Sequence, residues 1–304
     1  MNKRRAALVT LVAGGVMLTT AAAGGHASVP PPPVQPLPAL TGPALAARYA
    51  AERQAIEAAA RRDPRLAPLA APGRTFVAFD PRGRAVEVVG DLATARRVAI
   101  LVPGSDTTLH SFDSRGTASP GGGARAVLAE ARRIDPHARL AVIAWLGYSA
   151  PRTISLDVAT TTRADQGARA LRPLVDTLNA HGAAVSLLCH SYGSVVCGRA
   201  AHDVEAADIA VFGSPGMAVS SAADLRTRAR LWAGRGSGDW MAYVPKVRVL
   251  GLGFGADPVG RSFGARVFAA GNGGHSDYLR PGGIALRNLA LIALGRGAEV
   301  SRVR

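Results

Sequence analysis

The sequence predicts an α/β fold in which helices cover both faces of a mostly parallel central sheet and a hairpin stands at its N-terminal edge. Three observations predict it. Short apolar runs alternate with helix-length stretches through most of the chain, which asks for crossover connections and parallel strands. The first two runs are separated only by a tight turn, so they pair with each other. A chain of 304 residues, 48% of them hydrophobic, is long enough to bury one large core.

The elements follow in order. Residues 44–62 are Ala-rich, and Leu45, Tyr49, Ile56 and Ala60 are spaced to cover one face of a helix. Residues 75–80 and 85–89 flank Pro81-Arg82-Gly83 and read as the hairpin. The apolar runs at 98–102, 141–145, 185–188, 209–212, 247–252 and 266–269 have the length of buried strands. Helical stretches at 124–133, 164–180 and 192–201 separate several of them. A single catalytic domain spanning 41–304 is the expectation.

Two segments precede it. Asn2-Lys3-Arg4-Arg5, an apolar small-residue stretch from Ala6 to Ala23 and the Ala-ending site Gly25-His26-Ala27 have the layout of a cleaved secretory signal, residues 1–27. Pro30 to Pro33, with Pro36 and Pro38, cannot enter a helix or sheet, and residues 28–40 read as an extended linker. The expected location is outside the cytoplasm, secreted or cell-wall associated.

The formal charge of +15 rests on arginine, because Lys3 and Lys246 are the only lysines. The arginines are scattered and lack aromatic interleaving, which argues against a nucleic-acid partner. Weak association with an anionic cell surface is what the basic excess leaves open. The oligomeric state is not set by the sequence.

The stretch Leu187 to Gly198, LLCHSYGSVVCG, lies where a predicted strand meets a predicted helix. A nucleophile elbow needs that context: the sharp turn lifts a serine hydroxyl above the sheet and leaves a backbone N–H beside it. Ser191 is the serine. Gly193 supplies the small residue two positions after it, and Cys189 stands where glycine is usual two positions before. Hydrolases built on this turn keep the order serine, acid, histidine. Of the histidines after Ser191, His202 falls on the elbow helix pointing away, whereas His275 lies in the loop Gly273-Gly274-His275-Ser276 after the last strand. Asp257, directly after the 247–252 run, is the expected acid. Asp208 and Asp239 precede strands in this reading and so lie at the wrong end of the sheet, and Asp277 is too near His275 in sequence.

Pro103-Gly104-Ser105 follows the 98–102 run and permits close backbone approach. The expected oxyanion donors are therefore the N–H groups of Ser105 and Tyr192. Phe112, Trp145 and Tyr148, with Tyr192, are candidates for lining the acyl side, core packing being the alternative. Gly251 to Ala256 fits the dinucleotide pattern G-x-G-x-x-A, but Pro258, Gly260 and Gly264 break the helix that must follow. No cofactor and no metal is expected.

Six separated stretches carry a family resemblance: VAILVPG at Val98, AWLGYSAP at Ala144, CHSYGSVVCG at Cys189, FGSPGM at Phe212, ADPVG at Ala256 and GGHSDYL at Gly273. They resemble the secreted actinobacterial α/β-hydrolases catalogued as a domain of unknown function, over residues 70–279. The resemblance implies an α/β-hydrolase fold and a Ser191, Asp257, His275 triad, without naming a substrate. The function expected is hydrolysis of an ester or related acyl bond in a small or lipid-like substrate. An acyltransferase or amidase using the same residues, or a catalytically silent binding protein, stays open. Export permits a disulfide between Cys189 and Cys197, on a strand and the helix folded back over it, with two buried free thiols as the alternative.

Overall fold

The computed structural model describes residues 36–249 and 252–303. The segment read as an export signal and most of the Pro-rich linker lie outside the described residues. The last linker residues already belong to the folded unit: Leu40 is buried, its N–H donates to Nε2 of His181 (3.2 Å), and Leu37 packs against the core. Helix α1, Gly42–Ala60, follows, with Pro43 in its first turn, where a missing N–H costs nothing.

Strands β1 (Thr75–Asp80) and β2 (Arg84–Val89) form the expected antiparallel hairpin, and the turn is tied by Arg82 N–H donating to Asp80 Oδ1. The remaining strands of the sheet are β3 (Arg97–Val102), β4 (Leu140–Leu146), β5 (Ala184–His190), β6 (Asp208–Phe212), β7 (Arg230–Gly234) and β10 (Arg266–Val267). Their order is β1-β2-β4-β3-β5-β6-β7-β10. Every pairing from β4 to β10 is parallel, while β2 meets β4 antiparallel.

The crossovers are helical: α2 (Pro120–Ile134) joins β3 to β4, α3 (Thr162–Ala180) joins β4 to β5, and α4 (Gly193–Ala200) joins β5 to β6. A final helix, α5 (Ile284–Ala293), closes the domain. Strand alternation sorts the core into two layers. Val98, Ile100 and Val102 of β3 pack with Leu171, Val175, Val195 and Val196 of α3 and α4. Ala99 and Leu101 of the same strand pack with Val127 and Leu128 of α2 and Leu289 of α5. Helices therefore cover both faces, and the C-terminal ends of β3, β5, β6 and β7 open at one edge, where parallel sheets place their sites.

One strand differs from expectation. The described part of the 247–252 run does not enter the sheet; β8 (Arg248–Val249) and β9 (Leu252–Gly253) make a small separate antiparallel ribbon. Val247 and Leu252, the two ends of the run, are 57% and 56% exposed. Its place in the sheet is taken by β7, RLWAG, whose Leu231, Trp232 and Ala233 are buried. The start of β7 is fixed by Asp208, buried at the base of β6. Its carboxylate accepts two bonds from Arg230 (both 2.7 Å) and one from Trp232 Nε1 (2.9 Å). Asp208 is thus a structural anchor at the sheet end remote from Ser191.

Candidate active site

Ser191 stands at the tip of the turn between β5 and α4 with φ of +52°. A side chain in the left-handed region costs roughly 1–2 kcal/mol, so neighbouring contacts must hold it there. Ser191 N–H donates to Phe212 O (3.0 Å), extending the β5–β6 pairing through the serine, and Ser191 O accepts from Ser194 N–H (2.9 Å). Gly193 lets the helix start against β3: a Cβ there would lie 2.4 Å from Val102 O. The Cys189 and Cys197 sulfurs are bonded, with Cα atoms 6.5 Å apart, clasping strand to helix across the turn. Cys189 is wholly buried, which explains how a residue larger than glycine sits two positions before the serine: its side chain is committed to the bridge.

His275 comes to the serine from the loop after β10, with its Nε2 2.9 Å from Ser191 Oγ. Its Nδ1 faces Asp239, 2.9 Å from Oδ1 and 3.1 Å from Oδ2. This corrects the expected acid. Asp239 follows β7, the strand that holds the place expected for the 247–252 run, so it emerges at the same sheet edge as Ser191. Asp257 is occupied elsewhere: its Oδ2 accepts from Arg235 Nη1 (2.6 Å) and its Oδ1 from Val259 N–H (3.3 Å).

The Asp239 side chain is fully enclosed and accepts, besides His275, a hydrogen bond from Tyr278 Oη (2.5 Å) and one from Met241 N–H (2.8 Å). Burial alone would raise its pKa. The bond from His275, the charge of that imidazole and the Tyr278 and Met241 donors outweigh burial and hold the carboxyl below its usual value. Tyr278 pays the counterpart, its hydroxyl pushed far up by burial and by Asp239, so it stays a donor. Asp277 shapes the loop from below, accepting from Gly274 N–H (2.8 Å).

Of the two expected oxyanion donors, Ser105 follows a glycine that closes on the serine. A Cβ built on Gly104 would stand 2.6 Å from Ser191 Cβ and 3.0 Å from its Oγ, so only a residue without a side chain fits there. Tyr192 N–H follows Ser191 directly, at the N-terminus of α4, where backbone donors lack intrahelical partners. The loop holding Ser105 is braced by Asp106 N–H donating to Pro151 O (3.0 Å) and Tyr148 Oη donating to Pro103 O (2.7 Å).

The aromatic residues expected to line the acyl side do not do so. Phe112 is wholly buried against Phe76, and Trp145 and Tyr148 are stacked at 5.8 Å inside the core. With no exposed face, none of the three can touch a substrate; Trp145 and Tyr148 support the floor under the elbow. Tyr192's ring extends that stack, and its hydroxyl donates to Thr160 O (2.7 Å) and accepts from Ala164 N–H (3.2 Å).

Three residues enter the site unannounced. Trp240, next to the acid, has its ring centroid 4.9 Å from that of His275 and remains 50% exposed. Tyr278 donates to Asp239. His190, immediately before the serine, packs its ring against His275 at a tilt of 41°, with centroids 4.7 Å apart. The signal available for the first was the Asp239-Trp240 pair in a Gly-rich loop, which the strand assignment set aside. Among the described residues, no group of three or more His, Cys, Asp or Glu side chains converges as a metal site would.

A serine hydroxyl against an imidazole that is itself backed by a buried carboxylate can pass its proton to that imidazole and attack an acyl carbon, and a backbone N–H at the adjoining helix N-terminus can stabilise the resulting oxyanion. Comparison with known proteins identifies the family. An uncharacterized protein of Mycobacterium tuberculosis is 32% identical over 282 residues, covering 81% of this chain and 42% of the relative. One from Mycobacterium bovis is 31% identical over 166 residues, covering 51% of this chain and 62% of the relative. The chain thus spans less than half the length of the first of these relatives. Among solved structures, a Xanthomonas campestris α/β serine hydrolase without a lid aligns at a TM-score of 0.43, with 16% identity, over 70% of this chain and 88% of that one. Thermogutta terrifontis esterase 2 aligns at 0.43, with 10% identity, over 75% and 93%. The profile of one family, described as alpha/beta hydrolase, matches residues 80–249, more than half of the sequence, and the chain belongs to that alpha/beta hydrolase family.

Proposed function

We propose that this protein is a serine hydrolase that cleaves an ester or related acyl bond through an acyl-enzyme. The observation that carries the reading is the continuous relay Ser191 Oγ, His275 Nε2, His275 Nδ1, Asp239, with contacts of 2.9 Å at both imidazole nitrogens. Ser191 Oγ attacks the acyl carbon while His275 Nε2 takes its proton. Asp239 keeps Nδ1 protonated and offsets the imidazolium charge. The tetrahedral oxyanion is received by the Ser105 and Tyr192 N–H groups. Collapse expels the alcohol, which takes the proton from His275. Water then repeats the sequence on the acyl-Ser191 ester, releasing acid and restoring the serine.

The half-exposed indole of Trp240 beside His275 supports a substrate with an apolar part, of lipid-like acyl character. The Cys189–Cys197 bridge supports a working location in an oxidising compartment, in agreement with export.

Labelling with a fluorophosphonate, followed by peptide mapping, tests the nucleophile, and a series of p-nitrophenyl esters of rising chain length tests the acyl preference. The expected result is one modified peptide carrying the label on Ser191, abolished in Ser191→Ala. Absence of labelling together with absence of ester turnover in folded protein would overturn the reading.

A further inference from the structure

The relay leaves a half-buried titratable group beside it unused. His190 is the last residue of β5 and the residue before Ser191. Its ring is largely enclosed by Phe212 (centroids 5.3 Å), Tyr278 (5.8 Å) and His275 (4.7 Å). Its Nε2 lies 2.8 Å from the backbone carbonyl of His275. A carbonyl can only accept, so Nε2 carries the proton and donates it, and in the neutral ring Nδ1 carries the lone pair.

We infer that His190 is a positioning residue: its Nε2–H pins the backbone of His275 so that the imidazole above meets Ser191 Oγ and Asp239 at once. The inference rests on the serine-hydrolase reading for its kinetic consequence, though not for its geometry.

The reason for such a pin lies in the loop that bears His275. Its approach is Gly271-Asn272-Gly273-Gly274, and glycine-rich backbone carries the largest conformational entropy, so the loop does not hold one shape by itself. Asp239 restrains the imidazole at Nδ1 and Asp277 restrains Gly274 N–H. Neither holds the peptide of His275 itself. His190 does, and from a rigid support, because β5 lies inside the sheet between β3 and β6. Since His190 and Ser191 are adjacent, one strand end sets both the nucleophile and the height of the base above it. The same ring must stay uncharged, since a cation there would oppose the imidazolium formed on His275 during attack. Burial, and then the His275 charge, push the His190 imidazole down to about 3, against the opposing pulls of its bond to the His275 carbonyl and of Asp239.

The test separates donor from packing. His190→Phe keeps an aromatic ring among Phe212 and Tyr278 but removes the N–H, whereas His190→Gln places an amide N–H at the reach of Nε2. His190→Asn carries its N–H about one methylene short of that reach, and with Gln it gives the same comparison if the Phe variant does not fold. Steady-state ester hydrolysis is expected to show kcat lowered on the order of 10- to 100-fold in Phe and Asn, with KM nearly unchanged, as for a misplaced base. His190→Gln should recover kcat to within a few-fold of the parent. A second readout needs no turnover: in protein labelled with ¹⁵N-histidine, the Nδ1–H resonance of His275, identified by its loss in His275→Gln, should persist in Gln and broaden by exchange in Phe and Asn. Parent-like kcat and resonance in His190→Phe, or equal impairment of Gln and Phe, would overturn the inference. A parent protein without ester turnover would refute the hydrolase reading alone, and the resonance would still decide the role of His190.

Discussion

Replacing Asp239 with Asn, and separately Asp257 with Asn, distinguishes the acid that the structure places from the one that the sequence favours. The Asp239 carboxylate holds three donors: Met241 N–H and His275 Nδ1–H on Oδ1, and Tyr278 Oη–H on Oδ2. An Asn can keep its carbonyl toward Met241 and His275, so the fold and the imidazole orientation survive in part. What it cannot keep is the negative charge facing the imidazolium. For unit charges about 4 Å apart at an effective dielectric near 20, that attraction is about 4 kcal/mol. At about 1.4 kcal/mol per tenfold, kcat should fall on the order of 10³-fold, and further where the amide turns its NH₂ toward Nδ1 and selects the wrong tautomer. Asp257 faces Arg235, and removing its charge leaves a partly exposed guanidinium that water can solvate. Its kcat should stay within about threefold of the parent, because an exposed pair of this kind is worth about 1 kcal/mol or less. The assay is p-nitrophenyl ester turnover on protein shown to unfold cooperatively, with fluorophosphonate labelling rate as a second measure. A loss of about 10³ in Asp257→Asn with near-normal rates in Asp239→Asn would refute the relay as drawn.

Ser191→Ala combined with His275→Ala should be hardly slower in kcat than either single change, because both disable one nucleophilic step; multiplicative losses would show that the two residues act separately. Cys189→Ser with Cys197→Ser should lower unfolding free energy in urea by about 2.5 kcal/mol, the loop-closure value for a separation of 8 residues, and unchanged stability would show that the bridge does not restrain the unfolded chain. Trp240→Ala should reduce kcat/KM for long-chain esters by about tenfold, roughly 1–2 kcal/mol of lost apolar contact, and leave acetate esters nearly unaffected; equal losses across chain lengths would place Trp240 with the base and not with the acyl group. His190 binds its proton more weakly folded than unfolded, so the unfolded state takes up protons first as pH falls. Its contribution to stability is therefore lost progressively from about pH 6.5 toward about 3. Urea titrations at pH 7 and pH 4 should show a smaller acid loss in His190→Gln than in the parent.

The parts of this molecule that were legible in the sequence are those in which local pattern and burial agree. The β3, β4, β5 and β6 strands are mostly apolar runs whose central residues are enclosed, so a reader of apolar runs finds them. The elbow is legible because strand, small residues and helix are contiguous there, and His275 because no other histidine after Ser191 leaves the sheet at the correct edge. The acid was not legible, and the cause is one strand. Residues 247–252 look more like a buried strand than residues 230–234 do, since the former are rich in valine and leucine while the latter begin at an arginine and end at a glycine. The fold reverses that ranking by tertiary means: Asp208 ties Arg230 and Trp232 to the base of β6, which brings a weakly patterned segment into the sheet, and Val247 and Leu252 of the stronger run are left exposed. Once β7 is the strand after β6, Asp239 necessarily emerges at the edge where Ser191 stands, and Asp257 becomes the partner of Arg235, the residue just after β7. The exposure of Val247 and Leu252 is a consequence of the same exchange, because the place in the sheet that they would have filled belongs to Leu231, Trp232 and Ala233.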